Sequence, residues 1–190
     1  MKGARDLSNG AKIHALSRRR LLQFGGGLAL TLCPLARAQA AQSQERLLAL
    51  HNIHTGERLQ RVYWAAGDYI PDSLAEIDLV LRDWRTDDVH PMEPQLLDLL
   101  HQLHGVMGSD EPFEVISGYR SPKTNATLAS ASSGVAKKSL HMRGMAIDIH
   151  LPGRRLADLR DAAWGLQQGG VGYYQKSGFI HLDIGRVRRW

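Results

Sequence analysis

Cysteine is all but missing from this 190-residue chain, with one at position 33. A fold that needs disulfides is therefore excluded, and the chain is able to fold in an oxidising compartment without them. Beyond residue 40 there is no apolar run approaching the roughly 18–20 residues that a spanning helix requires, which excludes a second membrane segment. No internal repeat is found, and no linker is long enough to divide domains.

An excess of basic charge is missing too, although the formal net charge of +5 suggests one. Residues 1–40 carry seven of the 24 Lys and Arg and one of the 19 acids, so 17 basic and 18 acidic residues remain, a net charge of −1. The basicity belongs to one end of the chain, and composition gives no support for a nucleic-acid partner.

That end reads as a targeting peptide. Ser17-Arg-Arg-Arg20 precedes the apolar stretch Phe24 to Cys33, and small-residue sites follow at Ala36-Arg-Ala38 and Ala38-Gln-Ala40. The pattern is that of a twin-arginine export signal over residues 1–40, and the bulky Leu32 before Cys33 argues against lipoprotein cleavage. Residues 41–190 then form a single exported domain, expected in the periplasm. Its length suits one sizeable core.

Hydrophobic periodicity orders that domain. Arg46–Asn52 and Arg58–Trp64 flank His54-Thr-Gly-Glu57 as strand, turn, strand. Leu74, Ile77, Leu81 and Trp84 recur at helical spacing after Pro71-Asp72-Ser73, and Leu96, Leu97, Leu100 and Leu103 make a second stripe. Phe113–Ile116 is a short strand that runs into the Gly- and Pro-marked segment Ser117-Gly-Tyr-Arg-Ser-Pro122. A helix start at Lys123 and an exposed loop around Ser132–Lys138 follow. Then come a strand at Ala146–Leu151, a helix at Arg154–Leu166, and a hairpin of Val171–Tyr174 with Phe179–Asp183. The order predicts the α+β class: an antiparallel sheet with helices on one side, its other face open as a groove.

The chemistry concentrates in two strands. His141 and Asp148 lie seven positions apart around Gly144, and alternation places His181 and Asp183 on one strand face. Neutral imidazole and carboxylate groups are zinc ligands, and three of them leave a coordination position open for water. A carboxylate flanked by Ile147 and Ile149 needs a partner, a metal or an edge. His101 and His104, like His51 and His54, lack such a pattern and read as solvated pairs.

Ser139-x-His141-x-x-Gly144-x-Ala146-x-Asp148, with His181-x-Asp183 after it and Ser117-Gly-Tyr-Arg120 before it, resembles the M15 family of zinc peptidases. The region from Leu47 to Arg85 is similar to the narrower murein endopeptidase K-like group, and together these features span the chain after residue 40. The resemblance implies the fold shared with D-Ala-D-Ala peptidases and Hedgehog domains. It also implies Zn2+ held by His141, Asp148 and His181, and hydrolysis of peptide cross-links in peptidoglycan at meso-diaminopimelate linkages. Arg120 would stabilise the oxyanion, with Ser139 and Gly144 supporting the site. Tyr119, beside Arg120, and His150, on the face of Asp148, are expected substrate contacts. The tail Arg186–Trp190 is a candidate contact for anionic wall polymer.

The chain departs from the wider family at Gly178, where many M15 enzymes place an acidic general base three residues before the last His. Asp183 is the nearest carboxylate. It stands as base, as a partner of His181, or as the third ligand with His181 as base. A D,D-carboxypeptidase or dipeptidase, and a zinc-containing binding module without catalysis, are the alternative functions.

Overall fold

The computed structural model describes residues 45–132 and 134–190. The export signal and Cys33 therefore lie outside the described residues. β1 (Arg46–Asn52), β2 (Arg58–Ala65) and β3 (Asp68–Tyr69) lead into α1 (Pro71–Val80) and α2 (Pro94–Met107). β4 (Phe113–Ser117), α3 (Pro122–Ala131) and a 3-10 turn at Leu140–Arg143 come next. β5 (Ala146–His150), α4 (Leu156–Leu166), β6 (Gly170–Tyr174), β7 (Phe179–Asp183) and β8 (Arg188–Arg189) complete the chain. The class is α+β, as the sequence predicts.

Proline starts three of the four helices: Pro71, Pro94 and Pro122 sit in their first turns, where a missing N–H removes no helical bond. α1 ends at Val80, so Trp84 is not part of the expected stripe. Asp83 accounts for the early stop, because its carboxylate accepts from the Arg85 and Ser121 N–H groups and its own N–H donates to Asp88. Trp84 stacks instead on His54, with ring centroids 4.1 Å apart.

The strands form one eight-stranded sheet in the order β3-β2-β1-β4-β5-β7-β6-β8. It is not purely antiparallel: β1 pairs with β4 in parallel, as does β6 with β8. The first exception follows from connectivity. The chain leaves β1 through a hairpin and two helices, a crossover long enough to bring β4 back beside β1 in the same direction.

Alternation divides the central strands between two faces. Leu48 and Leu50 of β1, Phe113 and Val115 of β4, Ile147 and Ile149 of β5, and Ile180 and Leu182 of β7 all enter one core. Against them pack Ile77 of α1, Leu96, Leu97, Leu100 and Leu103 of α2, and Leu159 and Ala163 of α4. Each such Leu or Ile, fully buried, contributes roughly 1.5–3 kcal/mol. α3 adds no residue to this core. The segment after α3 forms a wall of a cavity on the opposite face.

Candidate metal centre

On that opposite face, β5 and β7 pair so that Asp148 lies directly across from His181. Their neighbours Ile147, Ile149, Ile180 and Leu182 are fully buried in the core, which turns the two polar side chains outward as a matter of register. β4 is bulged between Val115 and Ser117, and the shift sets Ser117 opposite Asp148. His141 arrives from the 3-10 turn, whose Ser139 Oγ accepts the His141 N–H. Gly144 closes that turn at φ +64°, and a Cβ there would come within 2.2 Å of the Pro91 carbonyl oxygen.

His141 is buried, and its Nδ1 lies 2.7 Å from the Gly118 carbonyl oxygen. A carbonyl only accepts, so Nδ1 carries the proton and Nε2 presents its lone pair. That Nε2 stands 3.3 Å from Asp148 Oδ1 and 3.2 Å from His181 Nδ1. His181 Nδ1 in turn lies 2.9 Å from Asp148 Oδ1, while its Nε2 donates to Asp183 Oδ2 at 3.0 Å. Two imidazole nitrogens and one carboxylate oxygen thus converge. Among the described residues this trio is the one group of three or more His, Cys, Asp or Glu side chains placed to hold a metal ion.

The donor set fits zinc. Ligands about 2.0–2.2 Å from a tetrahedral ion stand roughly 3.3–3.6 Å from one another. The three separations of 2.9, 3.2 and 3.3 Å need only a few tenths of an ångström of adjustment. Burial alone would raise the carboxyl of Asp148, but the two imidazoles hold it well below the usual carboxylate range. Burial likewise would lower His181, and the carboxylates on either side reverse that and raise it.

Asp183 is fully buried and does not line the cavity. Its Oδ1 accepts from the Gly170 and Gly185 N–H groups and from Arg188 Nη1, and its Oδ2 from Arg188 Nη2 and His181. These donors outweigh burial and keep it ionised far into acid. Arg188 had no assigned place in the site from sequence. The signal that would have found it is the buried carboxylate itself, which requires a cation, with the nearest basic run at Arg186–Arg189.

Arg120 donates from Nη2 to Asp148 Oδ2 at 3.4 Å and to Ser117 Oγ at 3.3 Å, and its buried Nε has no partner. The segment that carries it is pinned by the Tyr119 N–H to Leu81 carbonyl bond and by the Asp83 carboxylate at Ser121. The Leu81-Arg-Asp-Trp-Arg85 run therefore acts on the site through the backbone that holds Arg120.

Arg120, His141, Asp148 and His181 share a cavity of about 440 Å³, which Lys138, Tyr174, Arg188 and Trp190 also line. Two expected contacts stand elsewhere. Tyr119 stacks on His90 with centroids 4.7 Å apart, because its N–H bond to Leu81 turns it out of the cavity. His150 faces Glu114 across the strand pair, 3.2 Å from its carboxylate. Nor are His101 and His104 simply solvated: their rings bond the carbonyls of Leu47 and Glu111, and His104 stacks on Phe113. Gly178 occupies the β6–β7 turn at φ +77°, with nothing within 4 Å of a Cβ placed there.

The family model described as peptidoglycan L,D-endopeptidase MepK, of the M15 peptidases, matches residues 40–190. The chain is 41% identical over 177 residues to the peptidoglycan L,D-endopeptidase MepK of Escherichia coli K12, covering 92% of this chain and 97% of that one. Identity to the protein of the same name from Shigella flexneri is also 41% with the same coverage. It is 40% to the probable peptidoglycan L,D-endopeptidase MepK of Haemophilus influenzae, covering 92% and 95% of the two chains. With its converging His-Asp-His trio and a family match over all the described residues, the chain belongs to the M15 peptidases.

Proposed function

We propose that the protein is a zinc peptidase that hydrolyses peptide cross-links of peptidoglycan, at the L,D bonds that give its relatives their name. The observation that carries this reading is the convergence of His141, Asp148 and His181, with both imidazole tautomers set by hydrogen bonds. Zinc, when bound there, supplies Lewis acidity that polarises a carbonyl and makes water a nucleophile at neutral pH.

The chain's own residues do the rest. Arg120 sets a fixed positive charge beside the ligands, where it stabilises the oxygen that gains negative charge as the amide is attacked. Ser117 and Asp148 hold its guanidinium in place. Asp183 orients His181: with both oxygens occupied and no exposure it is a holding group, not the acceptor of water's proton. Arg120, Lys138 and Arg188 give the cavity a cationic lining suited to the free carboxylates of diaminopimelate-type peptides.

Export through the residue 1–40 signal to the periplasm belongs to the same reading, since the substrate lies outside the cytoplasmic membrane. Among the described residues no helix is long and apolar enough to cross a membrane. The test is incubation of the zinc-loaded protein with cross-linked muropeptides, with and without chelator. Conversion of dimers to monomers that stops on chelation is the expected result, and intact dimers in the zinc-loaded sample overturn the reading. Replacing Arg18 and Arg19 by Lys should retain the protein in the cytoplasm.

A further inference from the structure

The cavity holds a phenol that neither the ligand set nor Arg120 accounts for. Tyr174 ends β6 opposite Phe179, and the two rings stack with centroids 4.7 Å apart at 20°. Trp190 fixes the other end of the side chain: its Nε1–H donates to the Tyr174 hydroxyl oxygen at 3.0 Å. The indole is itself anchored, because the Trp190 N–H bonds the Val171 carbonyl and the Tyr173 N–H bonds the Trp190 carbonyl. Arg188 stacks over the indole at 4.8 Å, and the ring centroid of His181 is 5.3 Å from it.

This arrangement decides what the hydroxyl can do. A phenol has one proton to donate and lone pairs to accept with. Trp190 uses a lone pair, and the O–H has no partner among the hydrogen bonds of the described residues, so its proton is free for a ligand in the cavity. Tyr174 lines the same cavity as Arg120 and the three candidate ligands. Among the described lining residues Asp148 is the one carboxylate, so no second acidic side chain lines the cavity to take up that hydrogen in place of a ligand. Lys138, the other flexible donor, rides on an exposed loop.

We propose that Tyr174 is a catalytic residue: its O–H donates a hydrogen bond to the scissile carbonyl oxygen as that oxygen becomes an oxyanion, in partnership with Arg120. Trp190 is a positioning residue that acts through Tyr174. No proton is transferred by Tyr174, whose hydroxyl keeps its hydrogen throughout. The inference rests on the peptidase reading above and adds a donor to it.

The test compares wild type with Tyr174→Phe, which keeps the ring on Phe179 and removes only the hydroxyl. With cross-linked muropeptide dimers as substrate, kcat should fall about 100-fold, the usual loss for one oxyanion donor, with KM within about twofold. Bound zinc and thermal midpoint should stay at wild-type values. A phosphinate analogue of the scissile peptide, titrated by calorimetry, should bind the variant more weakly by a similar factor, while the cleavage product, which has no oxyanion mimic, binds both alike. Trp190→Phe, which loses the N–H and retains an aromatic ring, should show a smaller fall in kcat with KM unchanged. Full kcat and full phosphinate affinity in Tyr174→Phe overturn the proposal, as does a loss that appears in KM alone or tracks lost zinc. A wild-type protein that cleaves no dimer overturns the peptidase reading itself, whereas equal cleavage by wild type and variant overturns only the role of Tyr174.

Discussion

His181 and Asp183, two residues apart on β7, are joined by a hydrogen bond from Nε2 to Oδ2 at 3.0 Å that turns the other ring nitrogen toward Asp148 and His141. The strand's pleat makes this possible, since residues i and i+2 share a face. Arg188 completes the chain of contacts from the opposite side of the carboxylate, at 2.7 and 3.0 Å.

Asp183→Asn should therefore weaken zinc binding by about 10–100-fold, the range found when a group behind a metal-bound imidazole is lost. Competition with a chromophoric chelator measures it. Unchanged affinity would show that His181 needs no orienting partner.

Arg120→Lys keeps a positive charge but loses the rigid planar guanidinium whose Nη2 reaches Asp148 and Ser117 together. We expect kcat to fall by about 10²–10³-fold with KM little changed and zinc content intact. Steady-state kinetics with metal analysis on the same sample separates this outcome from ligand loss.

Gly144→Ala and Gly178→Ala should differ sharply although both glycines have left-handed backbones, at φ +64° and +77°. At Gly178 nothing lies within 4 Å of the new methyl, so only the conformational penalty of about 1–2 kcal/mol applies. At Gly144 the methyl also meets the Pro91 carbonyl at 2.2 Å, so the 3-10 turn must shift and carry His141 with it. Denaturant unfolding should rank Gly144→Ala as the more damaging, and zinc affinity should fall for it alone.

Asp98 supports a prediction about pH away from the metal centre. Burial would raise its carboxyl, but Arg46 at 2.6 Å and the hydroxyls of Tyr69 and Tyr63 at 2.8 and 3.0 Å lower it instead. A group whose folded-state pKa is depressed adds stability above its unfolded value, about 3.9, and that stability is lost as pH falls toward the folded value. Asp98→Asn should lower stability by about 1–3 kcal/mol at pH 7 and have less effect at pH 3. Urea titrations at the two pH values check the sign.

Much of this organisation is legible in the chain. Ile147 and Ile149 around Asp148, and Ile180 and Leu182 around His181, reveal by alternation which side chains share the polar face. The nitrogen that each histidine turns inward is not legible, because it depends on the Gly118 carbonyl for one and Asp183 for the other, and Gly118 is 23 residues from His141. Distance along the chain also hides the parallel pairing of β1 with β4, since local periodicity carries no strand direction. Tyr119 misleads for a different reason: adjacency to Arg120 says nothing about where a backbone bond to Leu81 will aim the ring. Trp190 and Arg188 read as a basic tail, and only the sheet brings β8 beside β6.

Two of the converging side chains, Asp148 and His181, face each other across a single rung of a continuous strand pair, while His141 hangs from a four-residue turn. The interstrand spacing of the ladder is nearly inelastic, at about 4.5–5.5 Å between facing Cα atoms. The trio thus has a stiff wall and a hinged one. Ions of different radius would be met by movement of the turn between Ser139 and Gly144, and the tightness of the Pro91 contact behind Gly144 becomes the limit on how far that wall can yield.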